Sequence, residues 1–261
     1  MSVSKRIAWQ EGRIYPVFAA TATKADWRRG EGAGLTDHPS YCYAKNNGDI
    51  QAAQKVVRDC LDAAYKARIG MALNILKERG VSNPVLVVPT KKDSKNKLAI
   101  TMARELSREF GLELATNIQQ QAGTKSCDKN KLDRIFQTPA FSGKIKKDSF
   151  YIAVDDVAET GSTLAGLRSH IERNGATFAM TFALAAPGGN SFNLSPKPEQ
   201  VNALAKHLGE DLRKWFENQA GFGLEALTFP ETRYLKTDSG REDLYYMGAY
   251  MGLKTQPLPG L

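Results

Sequence analysis

Asp155 and Asp156 stand side by side at the end of an apolar run, Tyr151 to Val154, and Glu159, Thr160, Gly161, Ser162 and Thr163 follow within a few residues. The run reads as a buried strand. Leu164, Leu167, Arg168 and Ile171 then recur at helical spacing. Backbone N–H groups at a helix start have no internal partners, and the helix dipole adds partial positive charge there, so the turn suits a phosphate. Thr160, Ser162 and Thr163 add hydroxyl donors, and Gly161 permits close backbone approach. Asp155 and Asp156 can accept from vicinal ribose hydroxyls, directly or through Mg²⁺. The crevice beyond strand C-termini is where open α/β sheets take ligands. An ordinary βα turn with a capping Asp or Thr uses the same residue types; the whole ordered string is what points to a ribose-phosphate grip.

The elements needed to position that string are legible around it. Val85 to Val88 is a second buried-strand run, followed by Thr90-Lys91-Lys92-Asp93-Ser94-Lys95. Leu98, Ala99, Met102, Ala103, Leu106 and Phe110 then line one face of a helix. Gly111 stands where a C′ glycine would end it. Leu112 to Ile118 can form the next strand. Arg173-Asn174-Gly175 reads as a helix stop, and Thr177 to Ala185 as another buried strand closed by Pro187. Strands alternating with helices predict a parallel α/β sheet flanked by helices.

The string Val154-Asp-Asp-Val-Ala-Glu-Thr-Gly-Ser-Thr-Leu164 resembles the binding motif of type I phosphoribosyltransferases for 5-phosphoribosyl-1-pyrophosphate (PRPP). The resemblance covers roughly residues 84 to 187. It implies that Asp155 and Asp156 face the ribose, and through it Mg²⁺, while residues 159 to 163 wrap the 5′-phosphate. Glu159 falls where purine-using members often place an acidic general base. Thr90, Lys91 and Lys92 fall at the pyrophosphate loop, which in the family is usually shorter and contains glycine. Residues 118 to 147 are similar to the hood that such enzymes close over PRPP. Within them Leu132 to Phe136 and Ala140 to Gly143 resemble a stretch of competence-associated ComF-like phosphoribosyltransferases; a solvated linker with scattered charges is the alternative for this segment.

Outside that core, residues 1 to 83 form an N-terminal helical or irregular addition. Ile50, Ala53, Val56, Val57, Cys60, Leu61 and Ala64 follow three/four spacing after Asn47-Gly48-Asp49, and a second helical run, Met71 to Arg79, stops at Gly80. Residues 84 to 189 form the α/β core, and residues 190 to 261 a C-terminal helical addition. Val201, Leu204, Leu208, Leu212, Trp215 and Phe216 predict one amphipathic helix there.

The chain has 261 residues and a formal net charge of +8. Basic residues cluster at 91–97, 125–134 and 144–147, flanking the proposed crevice; they fit a polyanionic substrate and also leave nucleic acid open as a partner. No apolar stretch approaches the roughly 20 residues that span a bilayer, so no membrane partner is expected. Three cysteines, Cys42, Cys60 and Cys127, lack metal spacing and read as free thiols of a cytoplasmic protein. His38, His170 and His207 do not pair for zinc. No Walker glycine loop and no Gly-x-Ser-x-Gly elbow is present.

The expected activity is displacement of pyrophosphate at ribose C1 by a nitrogen nucleophile, with Mg²⁺ as cofactor and a homodimer compatible with it. The alternative is a non-catalytic PRPP sensor or a nucleic-acid-associated accessory or effector protein on the same fold.

Overall fold

A computed structural model describes residues 6–23, 34–91, 93–121, 130–187 and 191–251. Strand β1 spans Pro16–Ala22. Helix α1, Ile50–Cys60, starts on Asp49, whose carboxylate accepts from the Ala52 N–H at 3.0 Å, and α2, Ala63–Glu78, starts in the same way on Asp62. Strand β2, Val85–Val87, leads to α3, Leu98–Phe110, which stops at Gly111 with φ of 66°. Strands β3, Glu113–Ala115, and β4, Gln119–Gln120, precede α4, Lys131–Phe136, and β5, Phe141–Ser142. The proposed grip lies between β6, Phe150–Val157, and α5, Ser162–Arg173. Strands β7, Thr177–Ala186, and β8, Phe192–Asn193, are followed by α6, Pro198–Leu208, α7, Glu210–Ala220, α8, Phe229–Leu235, and α9, Asp238–Tyr250.

The main sheet has the order β3-β2-β6-β7-β1-β8, and β4 pairs with β5 apart from it. β6 lies between β2 and β7, parallel to both. Period-two alternation sends its side chains to opposite faces. Ile152 and Val154 join a core formed with α1, α2 and α3. Tyr151 and Ala153 join a second core with Leu164, Leu167 and Ile171 of α5.

The sheet is mixed, not wholly parallel, because β8 runs antiparallel to β1. From Ala186 to Phe192 the chain is too short for a crossover helix, and only an antiparallel return is open to it. The segment 1–83, read as helical or irregular, also supplies β1, which pairs in parallel with β7. Its sequence, Pro-Val-Phe-Ala-Ala-Thr-Ala, lacks both polar alternation and a run of large apolar residues. The helix expected over 201–216 is two helices, broken at Gly209 with φ of 76° and ψ of 170°. The apolar stripe survives the break: Leu204, Leu208, Leu212 and Phe216 all enter a third core.

That third core also contains Leu132 and Ile135 of α4. The hood-like segment is therefore docked, through α4, on the C-terminal helices. Residues 122–129 of the segment expected to form a hood lie outside the described residues. Arg168 of α5 is fully buried beneath Trp9, 3.9 Å from its ring centroid, and donates to the carbonyls of Ile7 and Ala8. Ile7 N–H donates to the Ser169 hydroxyl at 3.1 Å, so the N-terminal segment is laced to α5. Among the described residues Cys42 and Cys60 are free thiols, and no helix is long and apolar enough to cross a membrane.

Candidate functional site

At the end of β6, alternation separates the two carboxylates. Asp156 points to the face of α3, where its carboxylate accepts from Lys45 Nζ at 3.0 Å and from Asn96 Nδ2 at 2.9 Å. Lys45 comes from a single irregular turn before α1 and also donates to the Tyr41 hydroxyl at 2.7 Å. Burial alone would raise the Asp156 pKa, but Lys45 and the hydrogen bond from Asn96 outweigh it and hold the group below its ordinary value. Burial by itself would lower the Lys45 pKa; Asp156 reverses that and raises it. Asp155 is pushed well above its ordinary value, first by burial and then by the neighbouring Asp156 charge. One of its oxygens accepts the Asp156 N–H at 2.9 Å. The pair thus combines one cation-paired carboxylate with one whose charged form is disfavoured.

On the α3 side, Thr90, Lys91, Ser94, Asn96, Lys97 and Arg104 line a cavity of about 240 Å³. Asn96 belongs to both places: its Oδ1 accepts the Leu98 N–H at 3.0 Å at the start of α3, and its Nδ2 reaches Asp156. Three cations around a helix start make this cavity suited to an anion. Lys92 lies outside the described residues.

On the α5 side, Glu159 and Thr160 lie at a cavity of about 720 Å³, walled by Lys131, Phe192, Phe229, Arg233 and Tyr234. The C-terminal helices thus build much of the wall, a task their sequence did not announce. Glu159 pairs with Arg134 of α4 at 2.5 Å.

The turn itself is covered. Thr160, Gly161 and Ser162 are buried, and Thr163 is half-buried. Gly161 has φ of 77°, and a Cβ built there would lie 2.4 Å from Leu194 Cδ1 and 3.2 Å from Thr228 Cγ2. The Thr228 hydroxyl donates to the Thr160 carbonyl at 2.5 Å. The Thr160 and Ser162 hydroxyls are 3.0 Å apart, and Ser162 donates to the carboxylate of Glu231. Glu231 in turn pairs with Arg6 at 2.5 and 2.8 Å, and both side chains are fully buried.

Sequence reasoning brought together Asp155, Asp156, Glu159 and Thr160 to Thr163, and these do share the β6–α5 connection. It missed Lys45, Asn96, Arg6 and Glu231. Glu231 had one usable signal, the capping box it forms with Thr228 at the start of α8. Lys45 and Arg6 had none, since each meets its partner only across the fold. Among the described residues no group of three or more His, Cys, Asp or Glu side chains could hold a metal ion. Two carboxylates, one already paired with Lys45, could supply at most a small part of a magnesium shell, the rest falling to substrate and water oxygens.

No protein-family model matches the chain. It is 29% identical over 222 residues to Protein TraN of Escherichia coli, covering 82% of this chain and 48% of that protein. It is 27% identical over 139 residues to an uncharacterized protein of Haemophilus influenzae, covering 52% of this chain and 29% of that one. The chain therefore spans less than half the length of either relative. Among solved structures, a purine phosphoribosyltransferase from Pyrococcus horikoshii aligns with a TM-score of 0.28 at 18% identity, covering 48% of this chain and 83% of the other.

Proposed function

We propose that the chain binds PRPP at the carboxyl end of β6 and transfers the phosphoribosyl group to a nitrogen acceptor with release of pyrophosphate. The observation that carries this reading is the Asp155–Asp156 pair at the end of a central strand, with a cationic cavity on one side and the larger Glu159–Thr160 cavity on the other. The motif resemblance supports it.

Asp155 and Asp156 would hold the ribose hydroxyls, and Asp156, held ionised by Lys45, would stabilise positive charge as it develops at C1. Thr90, Lys91 and Lys92, with Lys97 and Arg104, would hold the diphosphate. Residues 160 to 163 would take the 5′-phosphate. The C1–O bond to the diphosphate breaks, a C1–N bond forms, and the acceptor proton passes to Glu159. Asp155 and Asp156 are the residues that would hold Mg²⁺, which when bound would supply charge neutralisation for the diphosphate leaving group.

A second reading, a PRPP-binding protein without turnover, is favoured by one contact: the candidate proton acceptor Glu159 is already engaged by Arg134 at 2.5 Å. Pyrophosphate release from PRPP with a panel of nitrogenous acceptors separates the two. Turnover supports the transferase, binding without turnover supports the sensor, and absence of PRPP binding sinks both.

A further inference from the structure

Glu231 sits where an anion would sit. Its carboxylate accepts from Ser162, the first residue of α5, from both terminal nitrogens of Arg6, and from the Thr228 N–H at 2.8 Å. A buried hydroxyl at a helix start and a buried guanidinium fork are donors of the kind that hold a phosphate or carboxylate, while the Thr228 N–H travels with the carboxylate it caps. Arg6 is not there by chance of a loose terminus. Its neighbours Ile7 and Ala8 are held by Arg168 and Ser169, and its Nε donates to Thr138 at 2.7 Å.

We propose that Arg6 and Ser162 form a seat for a phosphate monoester, occupied in this conformation by the chain's own Glu231, so that α8 must withdraw before a phosphate can bind. The inference rests on the reading of the β6–α5 turn given under Proposed function and adds its regulation. Thr228 and Glu231 move with α8, while Ser162 belongs to the sheet-bound α5. The same helix walls the cavity beside Glu159 through Phe229, Pro230 and Arg233. Withdrawal of α8 would thus open the phosphate seat and widen the adjoining cavity in one movement. Like charge and lack of space make Glu231 and a phosphate mutually exclusive.

The test is chemical rescue on the full chain. In Glu231→Ala, Arg6 is left a buried cation without its carboxylate, and the melting temperature should drop. Inorganic phosphate should then raise it with the logarithm of its concentration, by about 5 °C at a hundredfold excess over its dissociation constant, while wild type stays unchanged. The double variant Arg6→Met/Glu231→Ala should show no such rise. If the alanine variant does not fold, Glu231→Ser serves, because it also vacates the space beside Arg6 and Ser162 and should also be raised by phosphate. Failure of phosphate to stabilise any folded single variant overturns the seat. Calorimetry with PRPP closes the argument: Glu231→Ala should bind at least tenfold more tightly than wild type. Equal affinity in both overturns the gating by Glu231. Phosphate rescue with no PRPP binding in either keeps the seat and overturns the PRPP reading instead.

Discussion

The ammonium of Lys45 stands 3.0 Å from a carboxylate oxygen of Asp156, tying the turn before α1 to the end of β6. This contact splits the roles of two adjacent aspartates. Asp156 is held ionised by Lys45, while Asp155 resists ionisation because it is buried beside that charge. The end of β6 therefore carries less negative charge than two carboxylates suggest. That suits a polyanionic substrate better than a fully charged pair would.

Removing the cation should expose this dependence. In Lys45→Met, Asp156 remains buried without its ion-pair partner, and stability at neutral pH should fall by about 3 kcal/mol. The Asp156 pKa, low in wild type, should rise. Part of the lost stability should return on acidification, as the carboxylate takes a proton. Urea unfolding at a series of pH values measures both effects; a loss independent of pH would show that the ion pair is not its source.

Asp155 has the opposite sign. Its folded-state pKa is raised, so in the window between its unfolded and folded values the folded state binds more protons, and stability falls as pH rises through that window. Asp155→Asn should raise the melting temperature at neutral pH by a few degrees, on the order of 1 kcal/mol, with the gain vanishing below the unfolded-state value. The same substitution should weaken PRPP binding. Thermal unfolding across pH, with calorimetry alongside, checks the pair of outcomes.

Gly161→Ala should destabilise the fold by about 2 kcal/mol or more, since it combines a left-handed backbone with a methyl pressed against Leu194 and Thr228. Denaturant midpoints report the loss. An alanine tolerated without cost would mean that α8 and the β8 edge do not close over the turn.

Arg104 is exposed on the rim of the cationic cavity. Arg104→Ala should leave the melting temperature within about 0.5 kcal/mol of wild type, as surface substitutions do. It should weaken PRPP binding several-fold at low salt, with the difference shrinking as salt rises. Affinity unchanged at low salt would remove that cavity from the diphosphate site.

The sequence by itself determined what repeats at short range. The strand ending in Asp155 and Asp156, the turn from Glu159 to Thr163 and helix α5 were readable because a strand, a glycine turn and an apolar helix stripe each leave a local period. The α3 face with its Gly111 stop was readable for the same reason. Strand β1 was not, since its small residues carry no such period. What covers the turn was decided by tertiary structure alone. Arg6 and Glu231 come to it from opposite ends of the chain, and Lys45 likewise reaches Asp156 from a distant segment. An ion pair closed across a fold depends on where packed cores bring two elements together, and a charged residue's neighbours in sequence do not record that distance.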